Sequence, residues 1–240
     1  MDPIKVAAGA GAVILASAGG YGISTLFEGE PICIQNPQAD KFGEDFQFHF
    51  MDASDDKNDA WWKDRFNKKY PKNKTDASLH TDFKNLSDFS NLKDKCKAAY
   101  DKSTTSDVSK DTAEDHYEKN VWELCSIDGS LPVVITKTSE TSKLSGSAKA
   151  TKLIDTENEK NKKWWERRAK HFFKQGSKDG YGSKASENAA GFKKLHDDGG
   201  SVGDLKKKCQ DNYGTTYSDS SVSNIVKETL RFCSLAGKQT

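Results

Sequence analysis

Asp52-Ala53-Ser54-Asp55-Asp56-Lys57-Asn58-Asp59-Ala60-Trp61-Trp62-Lys63-Asp64-Arg65 and Asp155-Thr156-Glu157-Asn158-Glu159-Lys160-Asn161-Lys162-Lys163-Trp164-Trp165-Glu166-Arg167-Arg168 follow one pattern. Asp52, Lys57, Asn58, Trp61, Trp62 and Arg65 recur without a gap as Asp155, Lys160, Asn161, Trp164, Trp165 and Arg168. Self-similarity at this level marks a duplicated structural unit. Working outward, Phe83-Lys84-Asn85-Leu86 matches Phe192-Lys193-Lys194-Leu195. Leu92-Lys93-Asp94-Lys95-Cys96 with Tyr100 matches Leu205-Lys206-Lys207-Lys208-Cys209 with Tyr213, and Cys125-Ser126 matches Cys233-Ser234. The units are expected over 52–127 and 155–235, with a connecting segment at 31–51 and a short tail at 236–240. The stretch 128–154, rich in Ser, Thr, Lys and Gly, reads as a flexible connection. Within it Leu131-Pro132-Val133-Val134-Ile135 is apolar and β-branched, so it is expected as a short strand or an extended segment packed on the first unit.

Each unit reads as three or four short helices around an aromatic core, which makes the expected fold class all-α. Ser54, Asp55 and Asp56 offer an N-cap and an acidic first turn to the tryptophan helix, and Pro71 stops it, leaving Trp62, Phe66 and Tyr70 on one face. A later helix puts Phe89, Leu92, Cys96 and Tyr100 at spacings of three and four, capped by Ser87 or Asp88. The last helix carries Tyr117, Val121, Leu124 and Cys125 in the first copy, and Val222, Ile225, Val226, Thr229 and Cys233 in the second.

The first thirty residues set the expected compartment. From Val6 to Phe27 no side chain is charged, and at helical rise this run reaches about 33 Å, enough to cross a hydrocarbon layer. Lys5 precedes it and Glu28 and Glu30 follow, so 1–30 reads as a single-pass signal-anchor with a cytoplasmic N-terminus and an extracellular body. Ala16-Ser17-Ala18 also has the small-x-small form of a cleavage site, which would make the body a secreted protein. The third reading is a buried helix at the start of a soluble domain.

Two cysteines per copy fall on expected apolar faces near the ends of consecutive helices. The economical pairing is Cys96 with Cys125 and Cys209 with Cys233, leaving Cys33 outside both pairs. An exported location permits such bonds; the competing reading is four buried thiols acting as small hydrophobes. In each tryptophan pair, neighbouring helical positions point about a hundred degrees apart, so one ring is expected inside and the other at the border of the surface. Arg65 and Arg168 stand where a guanidinium covers an indole face. Lys160 to Lys174 mixes Lys162, Lys163, Arg167, Arg168 and Lys170 with Trp164, Trp165, Phe172 and Phe173, and is expected as a solvated charged face, with nucleic acid or an anionic membrane as the alternative.

Lys and Arg number 37 against 36 Asp and Glu, so no global field recruits nucleic acid or an acidic partner. Charged residues make up 30% of the chain and apolar ones 34%, a balance suited to small helical units with wide solvated faces. No nucleophile elbow, P-loop or metal-ligand spacing is present, so no catalytic, cofactor-binding or metal residue is assigned. His49, His80 and His196 fall in expected loops or boundaries and read as solvated.

Met1-Asp2-Pro3-Ile4-Lys5 with the Ala/Gly-rich apolar run, Trp-Trp-x-x-Arg, Leu-Lys-x-Lys-Cys and Cys-Ser together resemble the paralogous hypothetical proteins of haemotropic mycoplasmas. The resemblance implies a wall-less bacterium, a cell-surface setting and expansion by duplication of the kind associated with antigenic variation. That family has no assigned activity, so no catalytic residue is carried over. The function expected is a non-enzymatic, membrane-anchored surface protein that contacts host molecules or presents a variable exterior. The alternatives are a hydrolase or transferase with a site between the two units, and a soluble nucleic-acid binder.

Overall fold

A computed structural model describes residues 32–110, 116–173, 180–186, 191–218 and 222–238. The described chain is all-α: α1 (Phe42–Asp45), α2 (Asp59–Lys69), α3 (Phe89–Tyr100), α4 (Tyr117–Asn120), α5 (Lys162–Phe173), α6 (Phe192–Asp198), α7 (Val202–Tyr213) and α8 (Asn224–Cys233), joined by short 3-10 and π turns. Extended segments meet only as isolated bridges among the described residues. The apolar run 6–27 lies outside them, and among those described no helix is long and apolar enough to cross a membrane.

Local chemistry sets the helix ends. Asp55 accepts the Lys57 amide at 2.9 Å and opens the single turn Asp56–Asn58 that leads into α2. Pro71 drives Tyr70 into the extended region (φ −68°, ψ 129°), so α2 ends at Lys69. Asp88 caps α3 by accepting the Asn91 amide at 3.0 Å. Ser201 and Asp204 form a reciprocal capping box at the start of α7.

The two halves of the chain repeat the same long-range bonds. Trp62 Nε1 donates to the Asp52 carbonyl at 3.3 Å, and Trp165 Nε1 to the Asp155 carbonyl at 3.1 Å. Tyr100 Oη donates to the Met51 carbonyl at 3.0 Å and Tyr213 Oη to the Ile154 carbonyl at 2.7 Å. Cys96 with Cys125 and Cys209 with Cys233 stand as disulfides, each with α-carbons 5.6 Å apart, so the economical pairing holds in both halves. Buried Asn58 donates from Nδ2 to the Ile32 and Asp52 carbonyls, both at 2.9 Å. Asn161 does the same to Val133 at 2.7 Å and to Asp155 at 2.8 Å.

That last correspondence corrects the reading of 128–154 as a flexible connection. Val133-Val134 stands to Asn161 and Ile154 as Ile32-Cys33 stands to Asn58 and Met51, so this apolar pair bonds to the second half, not the first as expected. Phe42 N donates to the Lys102 carbonyl and Leu144 N to the Thr215 carbonyl, both at 2.9 Å, which carries the match further along. Leu144, Ala150, Leu153 and Ile154 are buried in consequence. The serine- and threonine-rich composition concealed this because only every few residues touch the core. Of the stretch 31–51, expected to connect, the described residues from 32 onward contribute to the core: Phe42, Phe46, Phe50 and Met51 are fully buried. Large aromatic and aliphatic side chains each contribute about 1.5–3 kcal/mol on burial, which makes this segment a main source of stability.

Candidate functional site

The joint between the halves is built on α5. Its inner face presents Trp164, Arg168, His171 and Phe172, all buried, to α1, to the turn Gln47–His49 and to the turn Tyr181–Lys184. The expectation of one inner and one bordering tryptophan fails here: Trp164 and Trp165 are 3% and 1% exposed. The reason is tertiary. The ring of His49 stacks on Trp164 with centroids 5.0 Å apart, and the Arg168 guanidinium covers Trp164 at 4.9 Å and Phe46 at 4.8 Å. The solvated-face reading of Lys160 to Lys174 is corrected in the same way. Lys162, Lys163, Glu166 and Lys170 are exposed, but Arg168 is wholly buried; Lys174 lies outside the described residues.

Asp45 is the carboxylate of the joint. It ends α1 at 2% exposure, where its Oδ1 accepts from Tyr181 Oη and its Oδ2 from Thr104 Oγ1, both at 2.6 Å. Burial raises its pKa above the ordinary aspartate value, against the lowering effect of those hydrogen bonds, of the Lys238 amide and of the Arg168 charge. Burial likewise raises Tyr181, and the Asp45 charge adds to it. Arg231 covers the Tyr181 ring at 4.7 Å, donates to the Lys184 carbonyl at 3.0 Å and meets Glu228 at 3.5 Å.

The two signature arginines have different partners. Arg65 covers Trp61 at 4.4 Å and gives its fork to three carbonyls of its own half: Glu123 at 3.0 Å, Ser126 at 2.8 Å and Ile127 at 3.0 Å. Arg168 bonds through Nη1 to the Asp45 carbonyl at 2.7 Å, outside its own half. Burial pulls both guanidinium groups down to about 10. The left-handed glycines that follow each Cys-Ser record the difference. A methyl group on Gly129 (φ +65°) would run into Arg65 Nη1, whereas one on Gly237 (φ +60°) would run into Asp45 Oδ2. In the second half the Asp45 carboxylate stands beside the glycine that an arginine covers in the first.

The histidines depart from expectation. His49 is fully buried rather than solvated, with Trp122, Trp164 and Phe46 around it. Burial, then the charges of Arg168, Arg167 and His171, hold its pKa well below the usual imidazole value. His80 is half-buried, where its Nδ1 accepts the Asp82 amide at 3.1 Å, and the His196 side chain is 7% exposed.

Outside the joint lies a cleft of about 270 Å³, with Gln47, Phe48 and Glu44 on one wall and His171, Tyr181 and Lys184 on the other. Its acid is engaged: Glu44 accepts from Lys184 Nζ at 2.5 Å and from the Asp40 amide at 2.8 Å. Burial pushes the Glu44 carboxyl up, but those two bonds outweigh it and hold the pKa below the ordinary value. Cys33 Sγ, at the edge of the cleft, donates to the Phe48 carbonyl at 3.6 Å. Among the described residues no group of three or more His, Cys, Asp or Glu comes together as a metal site.

Of the residues singled out from sequence, Trp164 and Arg168 converge on the joint, while Trp61, Trp62, Arg65 and both cysteine pairs belong to the cores of the separate halves. Sequence reasoning missed Asp45, Thr104, Tyr181 and Arg231. A signal was available for two of them. Asp45 is an acid amid Phe42, Phe46, Phe48 and Phe50, and Arg231 sits between Leu230 and Phe232 on a strongly one-sided helix. The chain matches no protein-family model, no curated protein and no solved structure.

Proposed function

We propose that the chain is a non-enzymatic, membrane-anchored surface protein. In this reading residues 6–27 form the anchor, and two tandem copies of one disulfide-stapled helical unit form an extracellular body that contacts host molecules or presents a variable exterior. The observation that supports it most directly is the pair of within-half disulfides, because such bonds persist in an oxidising compartment and are rare in a reducing one. The repeated Asn58 and Asn161 bonds support units that start near Ile32 and Val133. The joint favours an architectural role over catalysis: Asp45 accepts from Tyr181 and Thr104, and Arg231 is engaged by the Lys184 carbonyl and by Glu228. Glu44, the carboxylate of the outer cleft, is ion-paired with Lys184.

Cell fractionation combined with protease treatment of intact cells tests the reading. The full-length chain is expected with the membrane and its body is expected to be cut from outside. Recovery of a soluble cytoplasmic protein with an intact N-terminus would overturn it.

A further inference from the structure

Arg168 sits among donors. Its Nη1 is used by the Asp45 carbonyl, but its Nε and Nη2 are buried with no hydrogen-bond partner among the described residues. The same holds for Nε1 of Trp122, Nε1 of Trp164 and both ring nitrogens of His49. These side chains form one contiguous group: the His49 ring lies 5.0 Å from Trp164 and 5.8 Å from Trp122, and the Arg168 guanidinium lies 4.9 Å from the Trp164 ring. Arg168 and His49 are 0% exposed, Trp122 1% and Trp164 3%. Indole and guanidinium can only donate, and each buried donor left unmet costs about 1–3 kcal/mol.

The charge points the same way. Arg167 is paired with Asp128 at 3.2 Å and Arg231 with Glu228 at 3.5 Å, while both Asp45 carboxylate oxygens are turned to Tyr181 and Thr104. At the matching position Arg65 meets three carbonyls; Arg168 meets one. A water molecule suits this group poorly. It accepts two donors and must place two protons of its own, where the only side-chain acceptor in the group is one nitrogen of His49.

We propose that the joint binds a small inorganic anion of the halide or nitrate class, held by Arg168 Nε and Nη2 and the indole N–H groups of Trp122 and Trp164, with His49 beside it. One ion then satisfies the donors and neutralises the guanidinium. Because Trp122 comes from the first half and Trp164 and Arg168 from the second, the ion also ties the halves together.

The test is a titration of ¹⁵N-labelled full-length protein with sodium bromide against sodium gluconate at constant ionic strength, following the five indole N–H resonances. Trp122 and Trp164 are expected to shift saturably while Trp61, Trp62 and Trp165 stay in place. Arg168→Met is expected to abolish the shift. If that variant does not fold, Trp122→Phe keeps an aromatic ring, removes one donor and is expected to weaken bromide binding about tenfold, equivalent to about 1.4 kcal/mol. Absence of a saturable shift, equal movement of all five indoles, or unchanged affinity in Trp122→Phe would each overturn the proposal.

Discussion

Arg168 Nη1 donates to the backbone carbonyl of Asp45 at 2.7 Å, across 123 positions of chain. Arg65, at the same place in the repeated signature, stays within its own half. One motif therefore bonds within the first half at Arg65 and across to the first half at Arg168.

Tyr181→Phe tests the joint. The variant removes the hydroxyl that donates to Asp45 Oδ1 at 2.6 Å and leaves the buried carboxylate one hydrogen bond short. A loss of about 1–3 kcal/mol is expected by urea denaturation. A change of under about 0.5 kcal/mol, the range of an ordinary surface substitution, would mean that this contact does not secure the joint.

Two glycines separate backbone strain from side-chain collision. Gly129 and Gly199 both have positive φ, +65° and +72°, but a methyl group on Gly199 meets nothing within 4 Å, whereas one on Gly129 meets Arg65. Gly199→Ala is expected to cost about 1 kcal/mol, the conformational part alone. Gly129→Ala should cost clearly more, because Arg65 must give up carbonyl partners, and thermal melts of the two variants would show the gap.

The disulfides close stretches of 29 and 24 residues. In the chain-entropy model each contributes about 3.5 kcal/mol, so replacing either pair by serines should cost similar amounts. Intact mass before and after reduction should differ by four hydrogens. A smaller difference would remove one staple or both.

His49 sets a pH dependence. Its folded pKa lies well below the ordinary 6.5, so as pH falls through that value the unfolded chain takes up the proton first. Stability from this group is present above pH 6.5 and is lost below it, at about 1.4 kcal/mol per pH unit until the folded protein also protonates. Denaturation from pH 8 to pH 5 should show this slope in the native protein and its reduction in His49→Phe. Parallel curves would show that the imidazole is not held neutral.

The start of the second unit can be measured on fragments. A chain from Leu131 to Lys238 retains Val133, which both donates to and accepts from Asn161, whereas one from Asp155 leaves Asn161 short of those bonds. The longer fragment is expected to melt at a higher temperature, followed by circular dichroism. Equal melting would place Leu131 to Ile154 outside the cooperative unit.

The helical class, the caps at Asp55 and Asp88, the stop at Pro71 and the pairing of Cys96 with Cys125 and of Cys209 with Cys233 were all legible in the residues. Each rests on spacing along a single element or on a motif repeated in order, and such information is local. The tertiary structure alone decided where Asp45, Tyr181 and Arg231 meet, why both Trp164 and Trp165 are buried, and why His49 is not solvated. Those outcomes depend on which surface one segment lends to another far away in sequence, and no periodicity records that. The stretch 128–154 shows the limit best. Its polar composition describes the many side chains that face water, whereas its structure is set by the few, Val133, Leu144, Leu153 and Ile154, that meet the core or the buried Asn161.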